Sequence, residues 1–246
     1  MSEQEKTEKQ ILGVYSHSDK YQYQFGERDS RYRGGTYWFV VKLDEARYQV
    51  QPLNAHHLPS GYTKTITAEE LLQYYTPEMD YYKENTVPAM DALNEKLTMG
   101  RRFFMMGNLS KAEVEFCKAV LMDEVSIDAN VGLGEVYAEQ QQYGKLREVM
   151  DRLMANDDLF KEEQRHQFNT FGISLRKQGL LDDAVRFYRK ALEVNDLDEH
   201  LHFNIARAYY EKKERELCAE HLFESIRINP NFLEAAQFLD MVEAEE

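Results

Sequence analysis

The side chains able to do chemistry in this chain are few, and most stand at spacings that defeat it. His200 and His202 are two residues apart, which on a helix points them to different sides, whereas a helical metal pair needs a spacing of three or four. His56-His57 lies between Asn54 and Pro59 in a loop, and neighbouring imidazoles in extended chain point apart. No metal and no cofactor is expected. Cys117 and Cys218, 101 residues apart, exclude a disulfide framework or a zinc ribbon, and both read as packing residues rather than nucleophiles. Gly34-Gly35 is a turn with no Gly-Lys-Ser or Gly-Lys-Thr after it, so a phosphate loop is absent. Arg28 to Gly35 interleaves Arg28, Arg31 and Arg33 with the nearby Tyr21, Tyr23, Tyr37 and Trp38, as single-strand binders do. Residues 1–92 carry 10 basic against 14 acidic side chains, however, and the segment reads as a solvated hairpin tip. Without a connected acid, base and nucleophile, the chain is read as non-enzymatic.

Composition narrows the classes further. The 246 residues are 43% hydrophobic and 30% charged, enough chain for a proper core. Thirty Lys and Arg against 44 Asp and Glu give a net charge of −14, which repels phosphate and anionic lipid, so neither nucleic acid nor membrane is an expected partner. No apolar run approaches the roughly 20 residues of a membrane helix, and Met1-Ser2-Glu3-Gln4-Glu5-Lys6 lacks the order of an export signal; a cytoplasmic location is expected.

Two architectures share the chain. Of its 30 aromatic residues, 14 fall in the first 92 positions, and 11 of those are tyrosines. Ile11 to Tyr15, Tyr21 to Phe25, Tyr37 to Lys42 and Tyr48 to Gln51 read as strands of a small antiparallel sheet or half-barrel over 1–66, with a hairpin at Asp44-Glu45-Ala46. Pro52, Pro59 and Gly61 make a loop. Thr67-Ala-Glu-Glu70 fits a capping box opening a helical linker over 67–92, and helix is expected from there on.

The remainder repeats itself. Gly100, Gly134, Gly172 and Ala206 are spaced 34, 38 and 34 apart, and Phe103, Tyr137, Leu175 and Tyr209 keep the same steps. So do Ala112, Leu146, Ala184 and Cys218, then Phe116, Met150, Tyr188 and Leu222, then Ala119, Leu153, Ala191 and Ser225. A period of this size means stacked units that cannot bury their apolar faces alone. The pattern resembles the tetratricopeptide repeat, a helix-turn-helix whose small residues admit a close helix pair. Phe168, Phe171-Gly172, Leu175, Gly179, Ala184, Tyr188 and Ala191 are the best match, and Pro230 supplies the closing proline. The resemblance implies a mainly α protein: a superhelix of four repeats at 93–126, 127–160, 165–198 and 199–232, and a capping helix over 233–246. Leu146 and Leu153 depart from the small-residue rule, and Lys161 to Gln164 interrupt the period, so wider packing and a jog are expected there. The order of the first half, with Tyr37-Trp38-Phe39-Val40 and Gln51-Pro-Leu-Asn54, is similar to amino-terminal segments attached to some bacterial tetratricopeptide proteins.

In the third unit, Phe168, Phe171, Gly172 and Leu175 form the stripe that faces the partner helix. Asn169, Ile173 and Arg176 form a second stripe about 100° away, which in this family lines the concave groove. Carrying the register along gives Leu97, Arg101 and Phe104, then Val131, Glu135 and Ala138, and finally Phe203, Arg207 and Tyr210. Three arginines against one carboxylate in an acidic protein, with Phe104, Phe203 and Tyr210 beside them, fit an acidic or carboxy-terminal peptide segment of a protein partner. Glu135 and Glu211 are the acids with which those arginines could pair instead. The Lys and Asn positions of the family's carboxylate clamp are not met, since Asn204 stands alone. The expected function is a non-catalytic interaction module or scaffold. The alternative is a ligand-binding or catalytic first half with the repeats as targeting arm, and self-association through the groove is a third arrangement.

Overall fold

A computed structural model describes residues 9–17, 37–161 and 164–244. The expected strand Tyr21 to Phe25 and the Arg28 to Gly35 segment lie outside the described residues. The chain divides into two compact units, one of residues up to Met99 together with Lys118–Ser126, the other of Gly100–Cys117 and Ile127 onward.

The first unit is built on β1 (Gln10–His17), β2 (Tyr37–Lys42), β3 (Arg47–Pro52), β4 (Lys64–Thr67) and β5 (Tyr75–Pro77), an antiparallel sheet in the order β4-β3-β2-β1-β5. Alternation along the strands sends side chains to two cores. Trp38, Val40, Val50 and Ile66 gather with Leu71 on one face, and Val14, Phe39 and Leu53 gather with Tyr81, Tyr82 and Met90 on the other. Asp44 accepts from the backbone N–H groups of Ala46 and Arg47 and so closes the β2–β3 hairpin. Helix α1 (Ala68–Tyr74) begins at the capping box, with Thr67 and Glu70 satisfying each other's N–H groups.

The stretch after Thr67 is not helical throughout, which corrects the reading of 67–92 as a helical linker. Tyr75-Thr76-Pro77 leaves α1 and pairs with β1 as an edge strand, because β-forming residues ahead of a proline are biased away from helix, and an edge tolerates the missing N–H. The short turn α2 (Met79–Tyr81) and a π-helical turn at Tyr82–Thr86 then lead into α3 (Val87–Met105). The loop before β4 is fixed by buried polar bonds: Ser60 Oγ donates to Asp123 Oδ1 at 2.6 Å, and Asn54 Nδ2 donates to the Met122 carbonyl. Burial pushes the Asp123 carboxyl up.

The second unit is helical. Its elements are the end of α3, α4 (Leu109–Met122) as far as Cys117, α5 (Ile127–Glu139), α6 (Tyr143–Met154), α7 (Arg165–Lys177), α8 (Leu181–Val194), α9 (Glu199–Glu211), α10 (Arg215–Ile228) and α11 (Leu233–Ala244). Glycine places helices in close contact. A methyl group at Gly134 would stand 2.1 Å from the Phe171 ring, and one at Gly172 would stand 2.4 Å from the Tyr188 ring. Only a hydrogen leaves room there. Leu146 and Leu153, the two large residues in small slots, are both buried. The longer step before α7 is taken up by a 3₁₀ turn at Asp157–Phe160, which buries Leu159 and Phe160; the Phe160 ring lies 5.4 Å from that of Phe187.

Candidate groove on the first helices of the repeats

What orients each first helix is the turn that ends it. Gly107, Gln141, Gly179 and Lys213 all have positive φ, at 71°, 56°, 74° and 65°, and they recur at the steps of the sequence period. Each donates its N–H three residues back, to Phe104, Ala138, Arg176 and Tyr210, while the following residue donates five back, to Phe103, Tyr137, Leu175 and Tyr209. These paired bonds are the Schellman stop of a helix. One turn, used four times in one register, ends the first helix of each of four hairpins.

This is the tetratricopeptide repeat fold. In the repeat stack, α11 adds the capping helix, burying Ala235, Leu239 and Val242. No family model matches the chain. Over 152 residues it is 25% identical to the anaphase-promoting complex subunit CDC16 of Saccharomyces cerevisiae, an alignment that covers 58% of this chain and 18% of that protein. The chain thus spans less than a fifth of that relative's length. Among solved structures it is similar to PilF of Pseudomonas aeruginosa, at 20% identity over 63% of this chain and 69% of that one, with a TM-score of 0.47. It is also similar to MamA of Desulfovibrio magneticus RS-1, at 15% identity over 63% of this chain and 85% of that one, again at 0.47.

Several residues of the predicted stripe meet one another, and others do not. Leu97 is buried and belongs to the first compact unit. Val131 and Ala138 are buried, and Phe104 and Ile173 are half-buried. Asn204 of α9 donates to Asn169 of α7 across 3.3 Å. Phe203 packs on Phe232 and on Phe238 of α11, with ring centroids 5.0 and 6.0 Å apart, and Tyr210 meets Phe238 edge-on at 5.2 Å. The capping helix therefore already covers part of the aromatic surface.

The charge balance needs correction. Arg101 is ion-paired with Asp128, and Arg176 donates to Glu211. Glu211 stands one position beyond Tyr210, and Asp128 lies one turn before Val131, where the predicted stripe begins in that repeat, so the count missed Asp128 and left Glu211 as an alternative. With Glu135 half-buried and its carboxyl pushed up by burial, three acids face three arginines. Arg207 differs from the other two: its guanidinium lies over the Phe203 ring at 5.9 Å and forms no ion pair among the described residues. Burial, and then the charge of Arg176, hold its proton less tightly than usual.

The remaining candidates resolve as follows. His202 Nδ1 and His221 Nδ1 are 3.1 Å apart, a pair between α9 and α10 that no local spacing reveals. His221 is also three residues from Cys218 on one helix, a neighbour that the reading of the cysteines passed over. Among the described residues no group of three or more His, Cys, Asp or Glu side chains could hold a metal ion. His57 bonds Tyr81 Oη at 2.7 Å. A cleft of about 460 Å³ beside α8 contains Arg186, Arg189, Lys190 and Lys212. Arg186, Lys190 and Lys212 already face Asp151, Asp157 and Asp182, so it offers little net charge. No helix among the described residues is long and apolar enough to cross a membrane.

Proposed function

We propose that this protein is an interaction module whose repeat stack holds an extended segment of a protein partner along the first helices, centred on the fourth repeat. A stack of hairpins offers continuous surface rather than a closed pocket, which favours recognition of chain segments. The observation that carries the reading is Arg207: a half-buried guanidinium over the Phe203 ring, one turn from Tyr210, that forms no ion pair among the described residues. A guanidinium in such a place binds a carboxylate through parallel hydrogen bonds, and adjacent rings take an apolar neighbour of that acid. The expected ligand is an acidic segment with an apolar or aromatic anchor. That the curated relative is by name a subunit of a larger complex agrees with a role in holding proteins together.

The test is selection from a random peptide library with free carboxyl ends, using wild type and Arg207→Gln. Wild type should enrich Asp or Glu next to an apolar residue. Arg207→Gln should lose that enrichment at an unchanged melting temperature. Enrichment of basic sequences, or the same profile from both proteins, contradicts the reading.

A further inference from the structure

At the junction of α7, α8 and α9 hydrogen-bond donors outnumber acceptors. Tyr188 of α8 is fully buried, and its phenol ends against α7, where a methyl group placed on Gly172 would lie 2.7 Å from the hydroxyl oxygen. One helical turn along α7 stands Arg176, 8% exposed. Tyr188 Oη and Arg176 Nε are both buried without a hydrogen-bond partner. Arg207 of α9 stands one turn before Glu211, the acid that Arg176 bonds, and the charges of Arg176 and Arg207 oppose the rise that burial gives the Tyr188 pKa. Against two guanidinium groups and one phenol there is, among the described residues, a single carboxylate in hydrogen-bond contact, Glu211, one turn beyond Arg207. It accepts from Arg176 Nη1 through Oε1. Glu211 is 39% exposed, so this acid lies on the open side of an otherwise closed cluster.

We infer that Arg176, Arg207 and Tyr188 form a receptor for a carboxylate of the partner segment, and that Glu211 is its internal occupant, displaced when that acid arrives. The inference rests on the groove reading above and names the group that seats there and the contact that opposes it. Glu211 reaches Arg176 with one oxygen and leaves Arg176 Nε and the Tyr188 phenol without a partner. A carboxylate entering from outside has two oxygens with about four lone-pair sites, enough for the Arg176 fork and a further donor. Water could accept from these donors but would leave the second guanidinium charge uncompensated. The tethered Glu211 competes at high effective concentration, so a lone acid fares poorly and an acid with a flanking apolar anchor on Phe203 or Tyr210 prevails.

Fluorescence anisotropy with acetylated, amidated octapeptide libraries fixed centrally as Glu, Gln or Lys tests this on the full chain. Wild type should bind the Glu library roughly tenfold more tightly than the Gln library. Glu211→Gln should gain about threefold or more on the Glu library and nothing on the Gln library, since it removes the competitor alone. Tyr188→Phe should weaken the Glu library at an unchanged or raised melting temperature, which separates lost recognition from lost folding. If Glu211→Gln binds the Glu library no better than wild type, the internal-occupant role is wrong. Equal binding of all three libraries removes the carboxylate receptor and the preference for acidic segments, and leaves only segment binding along the first helices. Binding of no library by any of these proteins removes both.

Discussion

Arg176 and Arg207 have the same chemistry and opposite surroundings, and substitution should separate them. Arg176 is buried and paired, so Arg176→Ala leaves a cavity and frees Glu211; a loss of roughly 1–3 kcal/mol is expected in denaturant unfolding. Arg207 has no ion pair among the described residues to lose, and Arg207→Gln should change the denaturation midpoint little. A residue-scale pH response belongs to the His202–His221 pair. Burial, the charge of His202 and that of Arg189 push His221 down to about 4, and burial lowers His202 as well. Their ordinary value is about 6.5, so the folded chain binds fewer protons than the unfolded one below that pH. The stability they contribute is full above about pH 6.5 and falls as the pH drops towards 4. Melting curves at fixed ionic strength should show wild type losing more between pH 7 and pH 5 than His221→Gln does; parallel losses would contradict the assignment. Sequence showed where Arg176, Arg207 and Tyr188 stand on their helices. It could not show that two buried donors lack acceptors, because that depends on atoms from three helices meeting.

The helix hairpin is the element that local chemistry specifies best, and glycines make this measurable. Gly172→Ala forces a methyl group into the Tyr188 ring, and overpacking of this kind costs about 1–3 kcal/mol. Gly144, inside α6 with nothing within 4 Å of a new Cβ, should do the reverse: Gly144→Ala gains up to about 1 kcal/mol in helix propensity. Gln141 and Lys213 hold the left-handed turn position that Gly107 and Gly179 hold elsewhere. Gln141→Gly and Lys213→Gly should each stabilise by about 0.5–1 kcal/mol, read as a shift in urea midpoint without a change in slope. These hairpins were legible from small-residue slots at a fixed period, since close helix contact admits few residue types. Strand β5 was not, because Tyr75-Thr76-Pro77 follows a capped helix without a break in pattern, and its partner β1 is some 60 positions earlier. The stop at Gln141 was equally hidden, as nothing in glutamine announces a left-handed residue.

At the scale of the whole molecule, a net charge of −14 sets the long-range field against an acidic ligand while Arg207 attracts it at contact. Salt should therefore act oppositely on the two rates. Raising ionic strength from about 20 to 150 mM shortens the screening length to about 8 Å, which should speed association of an acidic peptide and also speed its release. Stopped-flow traces showing slower association with added salt would mean that the ligand meets a positive field instead. The groove account stands or falls on where that peptide sits. The most direct measurement is a crystal structure of the chain with the tightest peptide from the library selection. The account predicts a ligand carboxylate within hydrogen-bond distance of Arg207 on the face of α7 and α9, with Glu211 turned away from Arg176. A peptide lying against the second helices α6, α8 and α10, or one bound with Arg207 untouched, would contradict it.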